Sequence, residues 1–233
     1  MRAVRRFMAG LLVIGLIATV LAWAAISGPA RLDLGEAPGP LTGRALAALS
    51  DEPGRCRGLL DHAGVRYTRL APRDDGPRCG YRDALHLDAG GALTLTLSPR
   101  EPPLACPVAA ALATWQWSIV QPAARRYLGT QVVGIDHLGS YNCRHIAGSA
   151  SWSEHATADA LDVAAFRLAD GRRISVLADW QGNGPEATFL RQVRNGACRV
   201  FATVLSPDYN AAHRDHLHLD QAARGATGWR ACR

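Results

Sequence analysis

Lysine is absent from the 233 residues, so all 26 strongly basic side chains are arginines and the formal net charge is +6. The arginines are scattered and form no stripe interleaved with aromatics, which argues against nucleic-acid binding. No C-x-x-C pair occurs among the six cysteines. That argues against a thiolate zinc site and against a thioredoxin-type redox centre. No G-x-S-x-G elbow surrounds Ser140 or Ser149, which disfavours a serine hydrolase. There is no internal repeat, and one folded domain accounts for the length.

Charge and proline are also missing from Phe7 to Ile26, an apolar run of about twenty residues preceded by Arg2, Arg5 and Arg6. The run exceeds the roughly 7–15 residues of a secretory h-region and approaches the length that spans a bilayer. Ala22-Trp-Ala24 offers a cleavage site, so a membrane anchor and a cleaved signal both stand. Either way the arginines remain cytoplasmic and the remainder is exported. The expected plan is an anchor or signal over 1–27, a Gly- and Pro-rich linker over 28–43, and a domain over 44–233. The expected location is the periplasm, on the outer side of the inner membrane if the anchor is kept. A positive exported surface suits anionic wall polymers or lipid headgroups, within the limits of salt screening. Oligomeric state is left open.

Cys56, Cys79, Cys106, Cys143, Cys198 and Cys232 all lie in the exported part. An even count in an oxidising compartment favours three disulfides, which also disfavours a cysteine nucleophile. Chain order suggests Cys56 with Cys79, Cys106 with Cys143, and Cys198 with Cys232, one of about fifteen possible connectivities.

Leu41 to Leu49 reads as a short helix. Val65 to Leu70, Ala84 to Leu87 and the strictly alternating Ala92 to Leu97 read as strands. Cys106 to Leu128 reads as one helix, or two broken at Pro122. Val132 to Ile135, Ala160 to Phe166 and Ile174 to Leu177 read as strands. Glu186 to Asn195 reads as a helix ended by Gly196, with extended runs at Thr203 to Leu205 and Leu217 to Leu219. The expected fold class is α+β, with a small, mainly antiparallel sheet flanked by helices and stapled by disulfides. Trp115 and Trp117 read as packing residues, and Asp179-Trp180 as either core or cleft.

Three of the eight histidines, His213, His216 and His218, fall within six residues, a concentration that core packing does not produce. Imidazole nitrogens and carboxylate oxygens are zinc ligands at roughly 2.0–2.2 Å, and a catalytic site uses three with one position open. His155, Asp162 and one late histidine supply that set, leaving the others for proton transfer. His216 and His218, two apart in an extended run, share a face. His62, His86, His137 and His145 have no partners at ligand spacing.

Cys79-Gly80, Cys106-Pro107 with Trp115, Gly139-Ser-Tyr-Asn-Cys-Arg144, Ser153-Glu-His155 with Ala160-Leu-Asp162, Asp179-Trp180, and His213-Arg-Asp-His216-Leu-His218-Leu-Asp220 are the matching elements. On these the chain resembles the bacterial extensin-like C-terminal domain family over nearly all of Cys56 to Arg233. It is also similar to the zinc peptidases of the D-Ala-D-Ala carboxypeptidase and murein endopeptidase group, through Ser153, His155 and Asp162 in one motif and His213, His216 and His218 in the other. This second resemblance implies that group's metallopeptidase fold, a Zn²⁺ cofactor, and His155, Asp162 and His218 as metal ligands. It implies His216 as the base that takes a proton from water and returns one to the leaving amine. Arg144 would face the developing oxyanion, and His213 would support the site. Asp220, His213 and Asp159 are candidates to hold ring tautomers. The motif usually carries glycine three residues after its first histidine, where this chain has Ala158. The function implied is hydrolysis of peptidoglycan or wall peptides. A non-catalytic wall-binding or structural module that keeps the fold is the alternative.

Overall fold

The computed structural model describes residues 10, 13–19, 32–224 and 229–233. Two units divide at residue 31. In the first, Gly10 and residues 13–19 are helical, and no described helix is long and apolar enough to cross a membrane. The rest of the segment expected as anchor or signal lies outside the described residues.

The second unit is α+β with three disulfides. Its helices are α1 (Thr42–Ala47), α2 (Pro53–His62), α3 (Cys106–Trp115), α4 (Gln121–Leu128) and α5 (Pro185–Ala197). Its strands are β1 (Val65–Arg69), β2 (Arg73–Gly76), β3 (Cys79–Tyr81), β4 (Leu85–Gly91), β5 (Thr96–Ser98), β6 (Val132–Gly139), β7 (Ala160–Leu168), β8 (Arg173–Ser175), β9 (Thr203–Leu205), β10 (Leu217–Asp220) and β11 (Ala231–Cys232). The main sheet runs β11-β9-β10-β7-β6-β5, with β8 also on β7. Its centre is antiparallel, while β11–β9 and β5–β6 are parallel. β1–β4 and β2–β3 form separate antiparallel pairs.

Every residue of α3 is buried. Its alanines let neighbours approach, and Trp115 packs against Phe166 of β7 and against Phe201, with ring centroids 5.8 and 6.2 Å away. Helical geometry then opens into a π turn over Gln116–Val120 before α4 begins. The turn spans Ser118, whose carbonyl would otherwise bond the amide that Pro122 lacks. The helix is thus widened at the proline rather than broken.

Several expectations are corrected. Gly196 does not stop α5 but lies inside it, where a Cβ would meet Ile119 Cγ2 at 2.3 Å. It is there for close helix approach. Ile174 to Leu177 is strand only to Ser175, and Val176–Asp179 is a helical turn capped by the Ser175 hydroxyl. The alternating 92–97 segment buries Leu93, Leu95 and Leu97 as alternation requires, yet only Thr96–Ser98 is strand, because it pairs with β6 alone. Two of the three suggested disulfides are wrong. The bridges are Cys56–Cys106, Cys79–Cys143 and Cys198–Cys232. Cys56 on α2 faces the start of α3, which packs against it, so chain order does not reflect neighbourhood. Residues 32–40, whose composition marks a linker, lie within the second unit, and there Leu34 is buried and its carbonyl accepts from Thr114 Oγ1 at 3.1 Å.

Candidate metal centre

β7 and β10 build the site by pairing in register. His218 lies opposite Asp162, Leu217 opposite Val163 and Leu219 opposite Leu161. Alternation sends the two pairs of aliphatic residues into the hydrophobic core and leaves Asp162, His218 and Asp220 on the other face. β6 passes Asp162 with Gly139 as its pairing partner.

His155 reaches the same face from a single 3-10 turn, Glu154–Thr157. Ser153 caps the turn by accepting from the His155 amide at 3.3 Å, which gives the serine of the Ser-x-His motif a local structural reason. Ala158 ends the turn in the left-handed region at φ 60 and ψ 18. Glycine is relaxed there and alanine is not.

The donor atoms converge. His155 Nε2 is 3.2 Å from Asp162 Oδ2 and 3.2 Å from His218 Nδ1, and His218 Nδ1 is 2.9 Å from Asp162 Oδ1. Among the described residues these three form the group that can hold a metal ion. Zinc bonds of roughly 2.0–2.1 Å at tetrahedral angles separate neighbouring ligand atoms by about 3.3 Å. Spacing therefore fits zinc.

Outer partners set the tautomers. His155 Nδ1 lies 2.5 Å from the Ser140 carbonyl, which only accepts, so the proton is assigned to Nδ1 and the Nε2 lone pair faces inward. His218 Nε2 lies 3.0 Å from Asp220 Oδ2, which assigns its proton to Nε2 and leaves the Nδ1 lone pair facing inward. Two lone pairs and a carboxylate then meet at one point, an arrangement that needs a cation or a proton between them. Without a metal the proton occupies it. Burial works against charge on His218, but hydrogen bonds to Asp162 and Asp220 push its pKa up to about 9. Burial likewise opposes ionisation of Asp162, yet the neighbouring His155 and His218 rings hold its carboxyl well below the usual range.

A cleft of about 450 Å³ opens over this group, walled by Arg144, Glu154, His213, His216 and Arg224. His216 Nε2 is 3.6 Å from Asp162 Oδ1, and its Nδ1 is 2.8 Å from Asp215 Oδ1. His213 sits on a 3-10 turn with Nδ1 2.7 Å from Asn210 Oδ1, its ring centroid 5.2 Å from that of His216. Burial, reinforced by His216 and His218, lowers the His213 pKa to about 4. Arg144 is exposed at the cleft wall and joins the turn through its carbonyl, which accepts from the Ser153 amide at 3.1 Å.

Asp159 does not join this group. It bonds no histidine among the described residues, and its Oδ1 is buried without a partner. Burial, with Glu154, Asp220 and Asp83 nearby, drives its carboxyl pKa well up. Trp180 is core, donating to Asp208 Oδ1 at 2.8 Å. His137 bonds the Arg100 carbonyl and His145 stacks on Trp152, both away from the metal group. Asp215, the Ser140 carbonyl, Glu154 and Arg224 escape a reading by ligand spacing. Asp215 was the most accessible of them, as the immediate neighbour of His216.

A family model described as extensin-like protein C-terminus matches residues 54–233. No curated protein and no solved structure matches the chain.

Proposed function

The chain belongs to the extensin-like protein C-terminus family, and we propose that it is a zinc-dependent hydrolase of peptidoglycan peptide bonds, of endopeptidase or carboxypeptidase type, working on the periplasmic side of the inner membrane. The observation that carries this reading is the convergence of His155 Nε2, Asp162 and His218 Nδ1, with both rings oriented by outer acceptors. Such acceptors are the usual support of ligating histidines.

His155, Asp162 and His218 hold the metal. When bound, zinc supplies a Lewis acid that polarises a carbonyl and lowers the pKa of water toward neutrality. His216 has the geometry of a base. Asp215 accepts from its Nδ1, which leaves Nε2 as the basic nitrogen beside the metal group, and the carboxylate stabilises the imidazolium that forms. That nitrogen takes a proton from water and returns one to the leaving amine. Arg144 stands at the cleft wall to offset negative charge on the tetrahedral carbon's oxygen. A preorganised donor in that role contributes about 3–4 kcal/mol.

Metal analysis of the full chain, solubilised in mild detergent, tests the reading. About one zinc per chain is expected, and none in the His155→Ala/His218→Ala double variant. His216→Ala should keep its zinc while hydrolysis of isolated wall peptides falls by at least about a hundredfold. A chain that takes up no metal even after reconstitution with Zn²⁺ would sink the hydrolase and leave a wall-binding module. Undiminished cleavage by His216→Ala would remove the base assignment alone.

A further inference from the structure

Three hollows share walls. Ser153 and Glu154 separate the metal cleft from a second hollow, whose far wall is Arg78 and Thr157. The same Arg78 and Thr157 border a third, which also carries Arg73 and Arg82. The three hollows thus adjoin through shared walls, forming a band from the metal group, past the two ends of the 3-10 turn, to the β2–β3 hairpin.

The hairpin is fastened to the loop that carries Arg144. Cys79 on β3 is bonded to Cys143. Tyr141 donates to Asp75 Oδ2 at 2.6 Å, its ring meets Tyr81 edge-on at 5.4 Å, and Arg73 lies 4.7 Å over it. These contacts consume Arg73 and Asp75, which also pair with each other. Arg78 and Arg82 are exposed and make no ion pair or side-chain hydrogen bond among the described residues. Arg78 moreover holds a left-handed backbone at φ 63, where a glycine would be relaxed and any other side chain costs about 1 kcal/mol.

We propose that this band is a substrate groove for an extended, carboxylate-bearing polymer, with Arg78 and Arg82 as its anion contacts at the end remote from the metal. The identity of that polymer as peptidoglycan rests on the hydrolase reading, whereas the groove rests on the hairpin. Arg78 and Arg82 flank β3, whose backbone a disulfide ties to the loop bearing Arg144, and from there they hold a strand in line across the cleft. Guanidinium suits this task because its fork matches a carboxylate with two parallel hydrogen bonds.

Cosedimentation of the full chain with purified peptidoglycan sacculi tests the groove, using the Arg78→Gly/Arg82→Gln variant. Glycine relieves the left-handed backbone while deleting the charge, so the variant should melt no lower than the parent. Its zinc content and its hydrolysis of a wall peptide too short to reach the hairpin should be unchanged. Sacculus binding should weaken about fivefold, the effect of two exposed ion contacts. The parent should weaken similarly on sacculi whose carboxylates have been amidated. Equal binding by variant and parent, or by amidated and untreated sacculi, overturns the proposal. So does a variant that loses affinity for anionic phospholipid vesicles and not for sacculi, since that assigns the arginines to lipid headgroups. A parent that takes up no zinc even after reconstitution, yet still shows the arginine-dependent sedimentation, would refute the hydrolase while leaving the groove standing.

Discussion

The two faces of the β7–β10 pair are both largely shielded from water and chemically opposite. On one, Leu161, Val163, Leu217 and Leu219 are fully buried. On the other, a residue away in each case, Asp162, His218 and Asp220 are also largely withdrawn from water. Removing aliphatic area from water stabilises a fold by about 25 cal/mol per Å², while removing charges costs several kcal/mol per ion unless partners compensate. The same backbone ladder therefore stabilises through one face and meets a demand for a cation through the other. Stability and the candidate metal group reside in adjacent residues yet remain separable.

Chelation separates them most sharply. Leu219→Ala should lower the unfolding free energy by about 3 kcal/mol through lost transfer energy and a residual cavity. The loss should be the same with zinc or with excess chelator. In the parent, chelator should remove a stabilisation of about 2.7 kcal/mol at a free zinc concentration one hundred times the Kd. Leu219→Ala should keep that increment and His155→Ala should lack it, as additivity of separate contributions requires. Paired denaturant titrations with and without chelator read both numbers. A Leu219→Ala protein that loses the zinc increment would mean that the two faces are coupled.

An effect of about 1.4 kcal/mol per pH unit comes from the proton that stands in for the metal. His218 is raised to about 9, so at neutral pH in the metal-free protein Nδ1 carries a proton that zinc must displace. The sign follows directly. Apparent zinc affinity should rise by about tenfold per pH unit from pH 6 to 8 and flatten near 9. Competition titrations against a chromophoric chelator over that range would measure it. An affinity independent of pH would mean that zinc displaces no proton from Nδ1 over that range.

How much was readable beforehand depended on the reach of the interaction. The grouping of His155, Asp162 and His218 was legible because His155 and Asp162 sit on one turn and strand, and His218 lies within a compact cluster. The strand positions of Asp162 and His218 followed from alternation. Register did not, since nothing in either segment alone says that residues 162 and 218 face each other. Helix α2 went unread because its mixture of glycine, arginine and leucine has a weak apolar face. The β2–β3 hairpin went unread because its two short strands, Arg-Asp-Asp-Gly and Cys-Gly-Tyr, carry no apolar alternation. Disulfide partners are long-range contacts, so chain order paired correctly only Cys198 with Cys232. Asp159, expected as a candidate to hold a ring tautomer, bonds no histidine among the described residues.

Ala158 provides the finest test of whether the two faces are independent. Its left-handed backbone ends the turn that presents His155, while its methyl is fully buried. Glycine there would relieve about 1 kcal/mol of backbone strain. It would also forfeit about 0.8 kcal/mol for the buried methyl and add freedom to the unfolded chain. These terms nearly cancel. Ala158→Gly should therefore shift the unfolding free energy by less than about 1 kcal/mol and leave zinc affinity within about twofold of the parent. Ala158→Val, β-branched in a region that such residues avoid, should lose stability by about 2 kcal/mol or more and weaken zinc binding with it. If glycine instead weakened zinc tenfold at unchanged stability, the methyl itself would be positioning His155. The turn would then couple the core to the metal, against the independence of the two faces.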